Sequence, residues 1–266
     1  MTGPGWTSSA AVTKKRSRGR RILRWTLGTL GAIIAAAVVG VVVYGQVGVM
    51  AAEPDPLAAV RAGDRIAIAD DGAGIVLAPA PGEGATGTAL VFIPGAKVDP
   101  WAYAALLSGL VTDDGLAVVI TTPGLNLAFF DLRPLSTFTG LAPDVGTWMV
   151  GGHSLGGVRA CQLASDAGAL VLFASYCAND LSGSALPVLS LAGSEDGLST
   201  PQMIADARHL LPADATMIEI PGASHASHAS FGDYGAQPGD GTPTATDAEV
   251  RAVVTDQVGE LASRLP

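Results

Sequence analysis

The chain has 266 residues, of which 48% are hydrophobic and 15% are charged, and its formal net charge is −9. A chain this long and apolar can bury a substantial core, so its composition excludes intrinsic disorder. Its two cysteines exclude a disulfide-rich scaffold. The negative charge argues against a nucleic-acid partner, because nucleic-acid binding requires a basic surface.

Charge divides the chain into a basic beginning and an acidic body. Seven of the 15 basic residues precede residue 25, whereas no acidic residue precedes Glu53. From residue 51 onward, the remaining basic residues are far outnumbered by the 24 acidic ones. This division predicts that the two parts of the chain lie in different surroundings.

The first predicted element is an apolar helix that is long enough to span a membrane. No charged residue occurs from Trp25 to Tyr44, and a helix of this length measures roughly 30 Å, the hydrocarbon thickness of a bilayer. Because the basic cluster precedes the span, the positive-inside rule predicts a single-pass protein with a cytoplasmic N-terminus. We expect a basic tail at 1–24, a signal anchor at 25–45, a linker at 46–58 and an extracytoplasmic domain at 59–266.

A cleaved signal peptide is the alternative interpretation of this segment. Signal peptides have apolar regions of about 7–15 residues, shorter than this one, and Val49-Met50-Ala51 is a poor cleavage site. Arg20-Arg21 also resembles part of a twin-arginine signal, which would equally export the chain. Each of these alternatives places the acidic body outside the cytoplasm.

After the linker, short apolar runs alternate with amphipathic helical patterns. Near-continuous apolar strands separated by helices predict one α/β domain, with a mostly parallel sheet covered by helices on both faces. The predicted strands are 66–69, 74–78, 89–93, 116–120, 147–150, 169–173, 187–192 and 216–220, and the predicted helices are 100–110, 155–165, 201–211 and 246–265.

One motif in this pattern indicates chemistry. Gly152-His153-Ser154-Leu155-Gly156 lies between a predicted strand and a predicted helix, and it matches G-x-S-x-G, the turn that exposes a nucleophilic serine. A serine hydroxyl needs a base, and the base needs an orienting acid. In this architecture the acid and then the histidine follow the serine along the chain.

Candidates for both partners follow later strands. Glu195 and Asp196 come after the predicted strand 187–192, and His225 and His228 come after the last one. Both pairs therefore lie at carboxyl ends of strands, where open α/β sheets bind their ligands. The pattern alone leaves both choices open.

Several segments resemble the α/β-hydrolase superfamily, and within it a single-domain group similar to dienelactone hydrolase. The resemblance covers about residues 60 to 265 and is carried by 92–100, 122–128, 174–176 and 228–235. It implies an α/β-hydrolase fold without a cofactor. By position it implies Ser154 as the nucleophile, Asp196 as the acid and His228 as the base, with the backbone N–H groups of Ala96 and Leu155 as the oxyanion hole.

Alternatives remain for the histidines. The spacing to the preceding Gly-Ala-Ser selects His225 as the base, whereas the spacing to the following Phe-Gly selects His228. The two residues lack a third ligand at zinc-site spacing, so we expect no metal. We expect His153 to pack beside the elbow and His209 to lie on a helix surface.

Features around the elbow predict an open site. Only 176–186 separate the two strands between which many α/β-hydrolases carry a lid, so we expect no lid domain. Asn126, Phe129 and Phe130 follow a strand end, where they either line the site or pack beneath it. Cys161 and Cys177 are expected to form a disulfide if the domain is exported.

The predicted function is that of a membrane-anchored extracytoplasmic serine hydrolase. It would cleave a small-molecule or lipid-like carboxylic ester through an acyl-enzyme intermediate. Two alternatives remain: an acyltransferase of the cell envelope, in which an alcohol replaces water, and a binding module without activity on the same fold.

Overall fold

The chain forms two compact units, which divide between Tyr44 and Gly45. The described part of the first unit is helical and belongs to helix α1 (Arg18–Gln46), whose last two residues are counted with the second unit. This computed structural model describes residues 18–231 and 237–266. The basic residues before Arg18, and part of the 228–235 segment, lie outside the described residues. Helix α1 is long and apolar enough to cross a membrane, although a signal sequence satisfies the same criteria.

A twisted sheet of eight described strands organises the second unit, in the order β1-β2-β4-β3-β5-β6-β7-β8. β2 pairs antiparallel with β1 and β4, and every other pairing is parallel, which confirms the predicted mostly parallel sheet. The strands are β1 (Ile66–Asp70), β2 (Gly74–Pro79), β3 (Thr88–Ile93), β4 (Ala117–Thr121), β5 (Thr147–His153), β6 (Ala169–Phe173), β7 (Val188–Gly193) and β8 (Thr216–Ile220).

Helices cover both faces of the sheet because its strands are apolar on both faces. Along β3, Leu90 and Phe92 face one apolar cluster, while Val91 and Ile93 face the other, as the two-residue period of a strand requires. The first cluster includes α3 and α7, and the second includes α4 and α5. The helices are α2 (Pro54–Ala62), α3 (Ala104–Thr112), α4 (Leu135–Thr139), α5 (Leu155–Leu163), α6 (Pro201–Asp206) and α7 (Asp247–Ser263).

The segment expected to be a linker, 46–58, is instead partly built into the second unit. Met50 forms a parallel bridge with Val98, and α2 begins at Pro54. Proline favours the first turn of a helix, where its missing N–H needs no partner. Because Val60 of α2 is buried in the core, the later part of the segment predicted as a linker lies in a helix that packs against the second unit.

The connection from β6 to β7 is short, as predicted. Residues 174–187 join these strands and add no lid domain over the sheet. Cys177 lies in this connection and is bonded to Cys161 of α5. The disulfide therefore ties the connection to the helix that follows Ser154.

Candidate active site

Ser154 occupies a sharp turn between β5 and α5. Its backbone angles are φ 52° and ψ −121°, a sparsely populated region that costs on the order of 1–3 kcal/mol for a residue other than glycine. A Cβ atom at Gly152 would lie 2.5 Å from the carbonyl carbon of Gly156, and one at Gly156 would collide with the Ile93 oxygen. The two glycines of the motif are thus required by the close approach of strand and helix.

Asp196 and His225 meet at the carboxyl edge of the sheet. Asp196 follows β7 and His225 follows β8, and a distance of 2.9 Å separates Asp196 Oδ2 from His225 Nδ1. The other carboxylate oxygen accepts hydrogen bonds from the backbone N–H groups of Leu198 (2.8 Å) and Ser199 (2.7 Å). Both side chains are buried. The hydrogen bonds to the carboxylate offset the free-energy cost of removing it from water.

The structure does not bring Asp196 to His228, the histidine that the sequence favoured as the base. The His228 side chain is buried, and neither of its ring nitrogens has a hydrogen-bond partner within the described ranges. Burial, reinforced by the neighbouring His225, lowers the pKa of His228 to about 4. Glu195, the alternative acid, is exposed, and in the part of the chain described its carboxylate accepts a hydrogen bond only from the hydroxyl of its neighbour Ser194.

His153 packs beside the elbow, as the sequence predicted. Its Nδ1 lies 2.9 Å from the hydroxyl of Tyr103, which also accepts a hydrogen bond from the N–H of Gly95 at 2.8 Å. The ring centroids of His153 and His225 are 4.5 Å apart. Burial holds the pKa of His153 well below its ordinary value, so this imidazole is neutral. His209 is exposed, also as predicted.

The two expected oxyanion donors come from adjacent strands. Ala96 follows β3 and Leu155 follows β5, and these parallel neighbours align Ile93 with Gly152. Neither backbone N–H donates to a protein acceptor among residues 18–231 and 237–266. The Leu155 N–H also lies at the N-terminus of α5, where the helix dipole favours negative charge.

Asp240 is a functional candidate that the sequence analysis missed. Its carboxylate accepts hydrogen bonds from the backbone N–H groups of Gly197, His225 and Ala226 at 3.2, 3.0 and 2.9 Å. It therefore links the loop of the acid to the loop of the histidine. Burial alone would raise the pKa of Asp240, but these donors hold it below the ordinary value. The sequence feature that could have identified Asp240 is its position between two glycines, Gly239 and Gly241.

The arrangement is suited to proton transfer at a serine rather than to metal binding. In the described ranges, no group of three or more His, Cys, Asp or Glu side chains could hold a metal ion. Ser154 is partly exposed, whereas the side chains of Asp196 and His225 are buried at the same edge of the sheet. A substrate could therefore reach the hydroxyl without reaching the carboxylate.

Comparison with known sequences identifies the family. The profile of the alpha/beta hydrolase family matches residues 89–252, which is more than half of the chain. The chain belongs to the alpha/beta hydrolase family. The match begins in β3 and ends in α7, so it contains Ser154, Asp196 and His225. No curated protein matches the sequence of this hydrolase significantly.

A solved esterase domain shares the fold of this hydrolase. The esterase domain of a Rhodothermus marinus protein is 14% identical and superposes with a TM-score of 0.53, covering 72% of this chain and 92% of that one. A serine hydrolase without a lid from Xanthomonas campestris is 15% identical with a TM-score of 0.49, covering 76% and 96%. At this identity the Rhodothermus likeness extends to the fold alone.

Proposed function

We propose that this alpha/beta hydrolase is a membrane-anchored, extracytoplasmic serine hydrolase that cleaves carboxylic esters through an acyl-enzyme intermediate. Ser154 is the nucleophile, His225 the base and Asp196 its orienting acid. The observation that carries the proposal is the buried 2.9 Å hydrogen bond between Asp196 and His225, at the sheet edge that holds Ser154. His225 replaces His228 as the base because His228 has no carboxylate partner among the described residues.

The Asp196–His225 bond determines which nitrogen is available for catalysis. An ionised carboxylate only accepts hydrogen bonds, so Nδ1 of His225 carries the proton in this pair. Nε2 is then free to take the proton of Ser154 as its Oγ attacks the ester carbonyl carbon. The same proton passes to the leaving alcohol oxygen as the ester C–O bond breaks. Water then attacks the acyl-enzyme carbon while His225 takes its proton, and this proton returns to Ser154 Oγ as the bond to the serine breaks and the acid leaves. Asp196 stabilises the imidazolium that forms in both steps.

The negative oxygen of the tetrahedral intermediate needs donors that no protein group already uses. The backbone N–H groups of Ala96 and Leu155 meet this requirement within the described residues. Loss of one such donor typically lowers turnover about 10²–10³-fold. Tyr103 supports this role indirectly, because its hydroxyl binds the N–H of Gly95, the residue before Ala96.

The proposal assigns residues 25–45 to a signal anchor, 1–24 to a cytoplasmic tail and the second unit to the extracytoplasmic side. The helix Gly19–Gln46 supports it, since 28 residues give a length of about 42 Å, enough for a bilayer with its headgroups. We expect the full chain to stay with the membrane after a carbonate wash. Release of the chain into the soluble fraction would contradict the anchor.

A fluorophosphonate probe tests the catalytic proposal, because it reacts only with an activated serine. We expect covalent labelling of the full chain at Ser154, none in Ser154→Ala, and hydrolysis of short-chain esters by the same preparation. Mass spectrometry of the labelled peptide identifies the serine. A folded wild-type chain that is neither labelled nor active on esters would contradict the proposal and support a binding module.

A further inference from the structure

The loop after β4 exposes large apolar side chains. Phe129 is 64% exposed, Phe130 51% and Leu132 82%; we call these three residues the apolar loop. Side chains of this size in one short segment are typical of surfaces that bind a partner. Resting on the anchor and the active site proposed above, we infer that the apolar loop contacts the bilayer that holds α1, so that ester lipids of that bilayer are the substrates.

Polar groups of this segment face inward. Asp131 is buried, and its carboxylate accepts hydrogen bonds from Nε (2.8 Å) and Nη2 (2.6 Å) of Arg133. The Arg133 guanidinium also donates to the carbonyl oxygen of Thr122 at 2.9 Å. The acidic charge between the exposed apolar residues is therefore neutralised and held by the body of the protein. The segment can enter an interface without carrying an unpaired charge into it.

The apolar loop begins close to the residue that follows the uncharged stretch of α1. The side-chain amide of Asn126 donates a hydrogen bond to the carbonyl oxygen of Gly45 at 3.0 Å, and Gly45 follows Tyr44, where the uncharged stretch ends. Phe129 lies three positions after Asn126, a span of at most about 11 Å. The headgroup layer is roughly 5–7 Å thick on each side of a bilayer. Covalent continuity therefore keeps Phe129 near the membrane surface if α1 spans it.

The same residues hold the oxyanion loop. The N–H of Lys97 donates to the carbonyl oxygen of Asn126 at 2.8 Å, and the N–H of Met50 donates to the Lys97 oxygen at 2.7 Å. Met50 also accepts a hydrogen bond from the N–H of Asp99 at 2.9 Å. Ala96 is thus fixed by segments that adjoin the end of the span and the apolar loop.

The inference is tested by the environment of a fluorophore on the apolar loop. The two natural cysteines are bonded to each other, so Phe130→Cys introduces a single reactive thiol for the dye NBD. Leu132→Cys is a second site, which its high exposure makes harmless to packing. Met203→Cys on α6, an exposed apolar residue elsewhere, is the matched control. Each full-length variant is reconstituted into phosphatidylcholine–phosphatidylglycerol vesicles.

We expect blue-shifted NBD emission at 130 and 132 and at least twofold quenching by lipids that carry a nitroxide near the headgroup, with neither effect at 203. Water-like emission at both loop sites would overturn the inference. A blue shift without lipid quenching would also overturn it, since it would mean that protein, such as a second copy of the chain, covers the loop. The measurement needs no substrate, so it can refute the lipid contact whether or not the catalytic proposal is correct.

Activity provides a second readout of the substrate class. For the triple variant Phe129→Ser, Phe130→Ser and Leu132→Ser, we expect the ratio of lipid-ester to soluble-ester hydrolysis to fall at least tenfold. Met203→Ser should keep the wild-type ratio. An unchanged ratio in the triple variant would overturn the substrate assignment. If instead no ester of either kind is cleaved by the wild type, the catalytic proposal fails rather than the lipid contact.

Discussion

Two histidines from one turn of the chain, His225 and His228, lie in different surroundings at the same edge of the sheet. His225 meets the Asp196 carboxylate through its ring and the Asp240 carboxylate through its backbone. His228 is just as buried, but within the described residues it meets aromatic rings and no acceptor. Burial alone lowers the proton affinity of an imidazole. A carboxylate contact is what makes a buried histidine useful as a base.

The largest expected effect comes from removing the charge of Asp196, the carboxylate that contacts the ring of His225 but not that of His228. We expect Asp196→Asn to lower kcat about 10⁴-fold with little change in stability, because an amide no longer favours the imidazolium or its tautomer. Steady-state ester hydrolysis measures the loss. Glu195→Gln, the exposed neighbour, is the matched control and should change kcat less than about threefold. Equal losses in both variants would remove Asp196 from its assigned role.

His228 makes its own contribution to the pH dependence of stability. Because burial lowers the pKa of His228 from 6.5 to about 4, the unfolded chain binds a proton more readily than the folded one between these values. Stability is therefore fully present above about pH 6.5 and is lost as the pH falls toward 4, by about 3 kcal/mol for this group. His153 acts in the same direction.

Urea unfolding of the wild type and of His228→Leu at pH 7 and pH 4.5 measures this contribution. We expect the difference in unfolding free energy between the two pH values to be smaller in the variant. Leucine has a similar volume and does not titrate. Identical differences in both proteins would show that His228 is not held neutral by its surroundings.

Asp240 offers the smallest expected effect, since it acts through the backbone of the acid and base loops. We expect Asp240→Ala to lower kcat about 10- to 100-fold with KM little changed, because a small displacement of the base weakens catalysis. Asp240→Asn keeps one acceptor oxygen and should lose less. A rise in KM with an unchanged kcat would contradict a role of Asp240 in positioning His225.

Much of the fold could be predicted because its signals are local. The central parallel strands are short apolar runs, as residues 169–173 illustrate, and sheet burial on both faces requires such runs. The elbow around Ser154 was equally visible, since its motif is a short contiguous run, although Gly156 is also required by its close approach to Ile93 of β3. Helix α2 was missed because Pro54 and Pro56 were interpreted as linker residues rather than as the first turn of a helix.

The choice of base could not be predicted from the sequence. His225 and His228 are three residues apart in the sequence. Asp196, the carboxylate that contacts only His225, follows a different strand, β7. Spacing toward the following Phe-Gly favoured His228, whereas the three-dimensional approach of Asp196 favours His225. Asp240 was hidden for the same reason, because its partners at Gly197 and His225 are distant along the chain.

The most direct measurement is the rate of fluorophosphonate labelling in His225→Ala and His228→Ala, compared with the wild-type chain. The account predicts that His225→Ala loses labelling by about 10³-fold or more, because nothing then deprotonates Ser154, while His228→Ala reacts within about tenfold of the wild type. Both variants should keep the Cys161–Cys177 bond, which reports on correct folding. Rapid labelling of His225→Ala together with an inert, folded His228→Ala would contradict the account and restore His228 as the base.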